Sequence, residues 1–262
     1  VSLYFKSVLI FLYAPICVFF IMKEGSRGLL MALLLHIPHS SKYIPESYLP
    51  YFRLTPETLA YEILKMTDHY TDELFHEPND DVRRLLFPVS RLLVDPERFA
   101  DDELEPMTAV GMGCLYSKTH NGQELKNIDE IRSDLLSLYY EKHHEKFENT
   151  VSELYRKNGQ VLIVDCHSFP KYPLPYELDQ KPDRAEICIG TDAYHTPIEI
   201  STALVSFFED ANFSVAVDRP FSGSIVPMKY WRKEPEIRSV MIEVRRDLYM
   251  NEETGKKSHN FE

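Results

Sequence analysis

The groups best suited to catalysis in this chain of 262 residues are polar side chains attached to three apolar runs. His36 and His39 follow the run at residues 33–35, and His167 follows the run at residues 161–164. Glu243 lies inside a third run, at residues 239–244. Such runs are typical of buried strands, where histidine is seldom needed for packing. We therefore predict that these strands bring their polar groups to one edge of a sheet and form a hydrolytic zinc site there.

The predicted metal ligands are two histidines and one aspartate. A catalytic zinc ion takes three protein ligands and keeps one position open. His39 and His167 are the best nitrogen ligands, because each lies just past a predicted strand. The oxygen ligand is Asp68 or Asp72, which are four residues apart and so share a helix face; the other aspartate would orient a histidine. In the alternative interpretation, the histidines are hydrogen-bonded loop residues and the aspartates are solvated.

Glu243 is predicted to be the general base. A carboxylate inside an apolar run is costly to bury without partners, and a glutamate beside a metal site can take a proton from water. Alternation along a strand places Glu243 and Arg245 on one face and Arg246 on the other, so Arg245 is expected to face the same site. The alternative is a structural ion pair between Glu243 and one of these arginines.

Arg91 and Arg98 flank a predicted strand-to-loop exit and form a candidate clamp for substrate carboxylates. Arginine suits this role because its planar fork binds a carboxylate through two hydrogen bonds. A surface salt-bridge cluster would explain the same spacing equally well. His143 and His144, in a long predicted helix, are expected on its solvated face, with one of them able to reach the site.

The pattern of apolar runs predicts an α/β fold with a central, largely parallel sheet covered by helices on both faces. Predicted strands occupy residues 30–35, 161–165, 185–190, 213–217 and 239–244, with one or two more within 84–94. Predicted helices occupy residues 55–76, 127–158 and 196–211. We expect one domain over residues 29–250, followed by a polar, frayed tail at 251–262.

The composition restricts the partners. The net charge of −12 argues against nucleic acid, which selects for basic surfaces. A small anionic substrate remains compatible with this charge, because a local arginine cluster can override the global field. The four cysteines include no CxxC pair, which favours reduced thiols and a cytoplasmic location.

Residues 1–28 form an apolar leader with three interpretations. The uncharged stretch at 8–22 is shorter than the roughly 20 residues that a membrane span needs, and no small-residue cleavage site follows it. It is an anchor, an uncleaved signal, or a segment preceding a true start at Met22 or Met31. A membrane-anchored or exported protein is therefore the alternative to a cytoplasmic one. The oligomeric state is left open.

Six short motifs, in order, resemble those of the N-formylglutamate amidohydrolase family and span roughly residues 33–250. They are His36-Ile37-Pro38-His39-Ser40, Asp68 with Asp72-Glu73-Leu74, Arg91 with Asp95 and Arg98, Asp165-Cys166-His167-Ser168, Pro220-Phe221-Ser222-Gly223, and Ile242-Glu243 with Arg246 and Leu248-Tyr249-Met250.

The resemblance implies a mixed central sheet of the zinc-carboxypeptidase and phosphorylase/hydrolase-like type. It also implies one Zn²⁺ per chain and hydrolysis of N-formyl-L-glutamate to formate and L-glutamate, a step of histidine degradation. By position, the implied metal ligands are His39, Asp68 and His167, and the implied base is Glu243. The expected substrate-binding residues are Arg91, Arg98, Ser168, Arg245 and Arg246.

Two positions depart from the family pattern. Glu97 and Asp218 stand where asparagine is expected, and both add negative charge near the presumed anion site. Another N-acyl amino acid or a small peptide is therefore an alternative substrate. A second alternative, from another class, is a catalytically inactive ligand-binding homologue, since a fold does not guarantee a reaction.

Overall fold

The protein is described by a computed structural model that covers residues 31–76 and 82–261. The predicted leader, residues 1–28, lies outside the described residues. Within the described ranges, no helix combines the length and the apolar character that crossing a membrane requires.

The described part of the chain is built around a six-stranded sheet with the order β2-β1-β3-β6-β4-β5. The strands are β1 (Ala32–Ile37), β2 (Val82–Leu86), β3 (Val161–Phe169), β4 (Ile187–Gly190), β5 (Val215–Val217) and β6 (Ile237–Arg245). All neighbouring pairs are parallel except β4 with β6, which is antiparallel. The prediction of a mixed, mostly parallel sheet is confirmed.

Helices lie on both faces of the sheet, because β1 and β3 present apolar side chains to each face. On one face, Leu35 and Val164 pack in the same cluster as Leu204 and Phe208. On the other face, Leu34 packs with Ile163, Phe147 and Val151. The main helices are α1 (Pro56–Met66), α2 (Thr71–Leu74), α3 (Arg132–Leu135), α4 (Glu141–Asn158) and α5 (Ile198–Asp210), with a π-helical turn (Leu136–Tyr140) joining α3 to α4.

The predicted helix over residues 55–76 is interrupted, which corrects the expectation that Asp68 and Asp72 share a helix face. Helix α1 ends at Met66, and the amide of Asp68 donates to the carbonyl oxygen of His39 instead of continuing the helix. Tyr70 then adopts a left-handed backbone conformation with φ of 64° before α2 begins. The aspartates therefore belong to different elements, and tertiary contact with the loop after β1 decides where the helix stops.

The predicted strand region at 84–94 is also shorter than expected. Strand β2 ends at Leu86, and Pro88 is followed by a turn in which the amides of Leu93 and Val94 donate to the carbonyl of Ser90. This turn is buried, so its apolar residues resemble a strand in the sequence. It leaves Arg91 on a loop.

The polar tail is packed against the domain, and the expectation of a frayed end is wrong. Met250 and Lys257 form an antiparallel bridge, and the hydroxyl of Tyr70 donates to the carbonyl of Gly255 at 2.7 Å. Phe261 is buried, with its ring centroid 5.4 Å from that of Tyr70. One aromatic side chain anchors a segment whose average composition is polar.

Candidate metal centre and active site

The polar groups singled out in the sequence converge at the carboxyl ends of β1, β3 and β6. In the parallel register, His36 of β1 lies opposite Asp165 of β3, and His167 of β3 lies opposite Glu243 of β6. His39 follows β1 by two residues. A cavity of about 980 Å³ opens over this edge, and His39, His167 and Glu243 line it. The predicted convergence at one sheet edge is confirmed.

His39, Asp68 and His167 are close enough to hold one metal ion. Oδ2 of Asp68 lies 3.6 Å from Nδ1 of His39 and 3.1 Å from Nδ1 of His167. The two imidazole centroids are 5.1 Å apart, and all three residues are buried. One potential ligand atom from each lies within 4.8 Å of the others. Buried nitrogen and oxygen atoms of this kind suit Zn²⁺. Asp68, not Asp72, is the aspartate that meets the histidines.

An unsatisfied atom at this cluster fits a metal ion. Nδ1 of His39 is buried and has no hydrogen-bond partner within the described ranges. Its other ring nitrogen, Nε2, lies 3.0 Å from Oδ1 of Asp95. Metal-binding histidines characteristically donate the second ring N–H to a carboxylate, which turns the free nitrogen towards the ion. The donor set and the orphaned nitrogen therefore both agree with a metal centre.

Asp95 is the carboxylate that contacts the second ring nitrogen of His39, a position for which the sequence pattern suggested Asp68 or Asp72. It also accepts hydrogen bonds from the hydroxyl of Tyr116 at 2.5 Å and from Nη2 of Arg91 at 2.8 Å. Burial alone would raise the pKa of Asp95, but the neighbouring His39 and Arg91 hold it well below its usual range. Its spacing from His39 in the chain, 56 residues, hides this contact from any local pattern.

Asp68 is held in place by Arg246. Nη2 of Arg246 donates to Oδ1 of Asp68 at 2.9 Å and also contacts the carbonyl of Ser168 at 3.1 Å. Burial would raise the pKa of Asp68, yet the hydrogen bond with His167 and the nearby His39 and Arg246 lower it well below its usual value. Asp68 therefore stays an anionic ligand candidate.

A second set of polar groups surrounds the far side of His167. Its Nε2 lies 3.1 Å from Oδ1 of Asp165 and 3.3 Å from Oε1 of Glu97. Asp165 also lies 2.8 Å from Nδ1 of His36, whose Nε2 is 2.9 Å from Nε2 of His143. The sequence reasoning assigned no role to Asp165 or His36. Alternation would have found Asp165, because residues two apart on β3 share a face.

The two histidines of α4 are not on a solvated face as expected, but one of them does reach the site. His143 is buried behind His36, and burial lowers its pKa to about 2. His144 lines the cavity, and its Nε2 lies 2.8 Å from the carbonyl oxygen of Pro96. Helix α4 therefore turns His143 towards β1 and His144 towards the cavity.

Glu243 is a buried carboxyl group that no arginine neutralises directly. Its Oε2 has no hydrogen-bond partner within the part of the chain that the structure describes. Burial, reinforced by the nearby charge of Asp68, raises the pKa of Glu243 to about 8. The expected alternative, an ion pair with Arg245 or Arg246, is not formed, because both guanidiniums are bound elsewhere.

The predicted arginines differ in their freedom to bind a substrate. Arg246 lines the cavity but donates to Asp68, Ser168 and the carbonyl of Lys65. Arg91 uses Nε for Tyr116 and Nη2 for Asp95, which leaves Nη1 facing the metal-ligand cluster, 3.8 Å from Asp68.

Arg98 is the least engaged of the cavity guanidiniums. Its nearest carboxylate oxygens, on Asp95 and Glu105, are 3.9 and 4.0 Å away, and no acceptor in the described ranges reaches its buried Nε. It lines the same cavity as His39 and Glu243. Of the predicted clamp residues, it offers the most unused donors.

Arg245 lies away from the site, contrary to the alternation argument. Its guanidinium donates to Asp247 at 2.7 Å and to the carbonyl of Arg184 at 2.6 Å. Strand β6 ends at Arg245, and the 3-10 turn that begins at Arg246 rotates the next side chain back towards the cavity. Ser168 does line the cavity, where its Oγ accepts from Nε of Arg246.

The two departures from the family pattern have different surroundings. Glu97 lines the cavity beside His167. Asp218 accepts hydrogen bonds from the amide and hydroxyl of Thr191 and is not among the residues that line the cavity. Only Glu97 adds negative charge directly to the site.

Comparisons with known proteins agree with this geometry. A model of the N-formylglutamate amidohydrolase family matches residues 31–250. The fold is similar to that of N-formylglutamate amidohydrolase from Ralstonia eutropha JMP134, with a TM-score of 0.76 and 21% identity over 90% of this chain and 89% of that one. It is also similar to a gene product from Agrobacterium tumefaciens, with a TM-score of 0.58 and 21% identity over 85% and 83% of the two chains. None of the curated proteins compared with it matches this chain.

Proposed function

Because this chain belongs to the N-formylglutamate amidohydrolase family, we propose that it hydrolyses the amide bond of a small N-acyl amino acid with the help of a bound Zn²⁺. The first candidate substrate is N-formyl-L-glutamate, which would yield formate and L-glutamate and would serve histidine degradation.

One observation carries the proposal: Glu243, whose buried Oε2 has no partner among the described residues, shares a cavity with a buried cluster of ligand atoms. His39, Asp68 and His167 contribute those atoms, and Nδ1 of His39 has no partner within the described residues. A structural salt-bridge network would have satisfied these atoms. A metal ion and a water would account for both.

The chain supplies ligands of the right kind for the ion. His39 and His167 would bind through Nδ1, and Asp68 through Oδ2, the atoms that face one another. When bound, Zn²⁺ supplies Lewis acidity that polarises the amide carbonyl and lowers the pKa of a bound water. Asp95 and Arg246 would keep His39 and Asp68 in position.

Glu243 would move the proton. Its carboxylate would accept a proton from the attacking water and deliver it to the nitrogen of the leaving amine. Burial raises its pKa to about 8, close to the neutral range in which a base of this kind is most effective. A nearby cation would lower that pKa and increase the ionised fraction at neutral pH.

The guanidiniums would bind the amino-acid part of the substrate. Arg98 and the free Nη1 of Arg91 face the cavity, and an arginine can grip a carboxylate through two charge-assisted hydrogen bonds. Positioning the amide beside Glu243 in this way would convert a bimolecular reaction into an intramolecular one.

A second candidate is an N-acyl amino acid with one carboxylate, or a small peptide. It is favoured by Glu97, whose carboxylate lies 3.3 Å from Nε2 of His167 on the cavity wall. A second negative group on the substrate would be repelled there unless another positive charge compensated Glu97.

The test combines metal analysis with a panel of N-formyl and N-acyl amino acids scored for amine release. Glu243→Gln should keep the metal and reduce kcat by about 10²–10⁴-fold, because the base is lost while the shape is kept. Glu145→Gln, an exposed glutamate on the same cavity wall, is the matched control and should retain activity.

Two outcomes would contradict the proposal. Full turnover in Glu243→Gln would show that Glu243 is not the general base. Binding of panel compounds without turnover by any of them would favour the catalytically inactive homologue.

A further inference from the structure

The side of His167 that faces away from Asp68 carries a second group of potential ligand atoms. Nδ1 of His36, Oε1 or Oε2 of Glu97 and an oxygen of Asp165 can be chosen so that all lie within 4.8 Å of one another. Oδ1 of Asp165 is 2.8 Å from Nδ1 of His36 and 3.1 Å from Nε2 of His167. Oε1 of Glu97 is 3.7 and 3.3 Å from the same two nitrogens. Three residues therefore form a compact set, and Nε2 of His167 adjoins both of its carboxylates.

Two atoms of this set are buried without a partner. Nε2 of His167 and Oε1 of Glu97 make no hydrogen bond to any described residue, although each has polar neighbours. His167 is only 4% exposed. A buried polar atom without a partner is costly, and here the nearby atoms lie at the wrong angle for a hydrogen bond. An ion between them would satisfy both.

The spacing of the atoms fits a divalent cation. Ligands bound at about 2.0–2.1 Å in a tetrahedron stand roughly 3.3–3.4 Å from one another. The distances from Asp165 and Glu97 to the two imidazole nitrogens run from 2.8 to 3.7 Å and scatter about that value. Asp165 and Glu97 supply two negative charges, which is the complement that a divalent ion requires.

We propose that His36, Glu97, Asp165 and Nε2 of His167 form a second divalent cation site of the Zn²⁺ type, next to the first. His167 would then lie between two cations, one at each ring nitrogen, and would lose its ring proton. The inference rests on the proposed function only in that Nδ1 of His167 would be a ligand of the first ion.

The neighbouring groups support each new ligand. Nε2 of His143 lies 2.9 Å from Nε2 of His36, so His36 can donate its ring proton there and turn Nδ1 towards the ion. Glu97 is the partly exposed member of the set, with 17% of its side chain accessible. It lines the cavity, so an ion can reach the site from that side.

The carboxyl groups of the second site are not paired with arginine. Among the described residues, Arg91, Arg98 and Arg246 form their ion pairs with Asp68, Asp95 and Glu105. The charges of Glu97 and Asp165 are therefore available to a cation. A second cation would also compensate Glu97, the group that otherwise repels an anionic substrate from the cavity wall.

The stoichiometry of metal binding tests the proposal. The full chain is stripped with a chelator, saturated with Zn²⁺ and desalted, and the metal content is then measured. Wild type should retain two equivalents and Glu97→Gln about one, since the substitution preserves the shape and removes a charged ligand. Glu145→Gln, the same exchange on an exposed cavity residue, should retain two.

A second measurement needs no variant. Co²⁺ titration of the stripped wild type should give visible absorption that saturates at two equivalents, with an additional proton released as the second ion binds to His167. Saturation at one equivalent, or one retained Zn²⁺ in wild type, would overturn the second site. If the protein binds one ion and hydrolyses a panel substrate, the second site is refuted and the proposed function stands. If it binds two ions but hydrolyses none of the panel, the second site is supported and the proposed function is not.

Discussion

Lys126 is a buried lysine whose titration should be visible in the stability of the protein. Its side chain is only 2% exposed, and Nζ donates to the carbonyl oxygens of Leu92 and Tyr116 at 2.5 and 2.6 Å. Burial lowers the pKa of Lys126 from 10.5 to about 7. The lysine therefore ties together the two segments that carry Arg91 and the hydroxyl partner of Asp95.

The sign of the pH dependence follows from the lowered pKa. Between about pH 7 and 10.5 the unfolded chain binds a proton on Lys126 that the folded protein has released, so stability rises with pH in this window. Below pH 7 both states are protonated, and the full destabilisation by the buried charge is present. From pH 6 to pH 9 this one group should contribute an increase of about 2.5 kcal/mol in the free energy of unfolding.

Urea unfolding of wild type and Lys126→Met, followed at pH 6, 7, 8 and 9, measures this contribution. Cysteines and histidines also titrate in this range, but they are common to both proteins and cancel in the difference between the two unfolding free energies. That difference should rise in favour of wild type by about 2.5 kcal/mol from pH 6 to 9. A difference that stays constant with pH would refute the lowered pKa of Lys126.

Three further changes test the site and the sheet. Asp95→Asn should weaken Zn²⁺ binding by about 10–100-fold in chelator competition, because His39 loses the carboxylate that orients it. Arg98→Lys should raise KM about tenfold with little change in kcat, since a point charge replaces a bidentate fork. Gly190→Ala should destabilise the protein by about 1–3 kcal/mol in thermal unfolding, because a Cβ there meets the carbonyl oxygen of Gly223.

Each change has its own contrary result. Unchanged metal affinity in Asp95→Asn would mean that His39 is oriented by other contacts. A lower kcat at constant KM in Arg98→Lys would place this arginine at the reacting bond instead of at the carboxylate. An unaltered melting temperature in Gly190→Ala would show that the backbone at Gly223 moves aside for the added Cβ without loss of stability.

The strands and their polar ends could be predicted because they depend on local apolar runs. Buried parallel strands must be apolar on both faces, so β1, β3 and β6 are readable from the chain, and the polar residues at their carboxyl ends must meet. The convergence of His39, His167 and Glu243 at one sheet edge was predicted for this reason.

The errors arose where distant contacts override local pattern. Helix α1 stops at Met66 because the Asp68 amide bonds the loop after β1. Strand β6 ends at Arg245, and the 3-10 turn that follows decides that the side chain of Arg246 lies towards the cavity. A periodicity argument assumes that an element continues, and it fails where another part of the chain ends the element.

The amino-acid pattern alone was sufficient for the class of fold and for placing His39, His167 and Glu243 at one edge of the sheet, because apolar runs and the polar groups attached to them are local properties. The contact of Asp68 instead of Asp72 with the histidines, the contact of Asp95 with His39, and the assembly of His36, Glu97 and Asp165 around His167 needed the tertiary structure. These groups come from separate loops and strands, and only folding fixes the distances of a few ångströms that decide which atoms can share an ion.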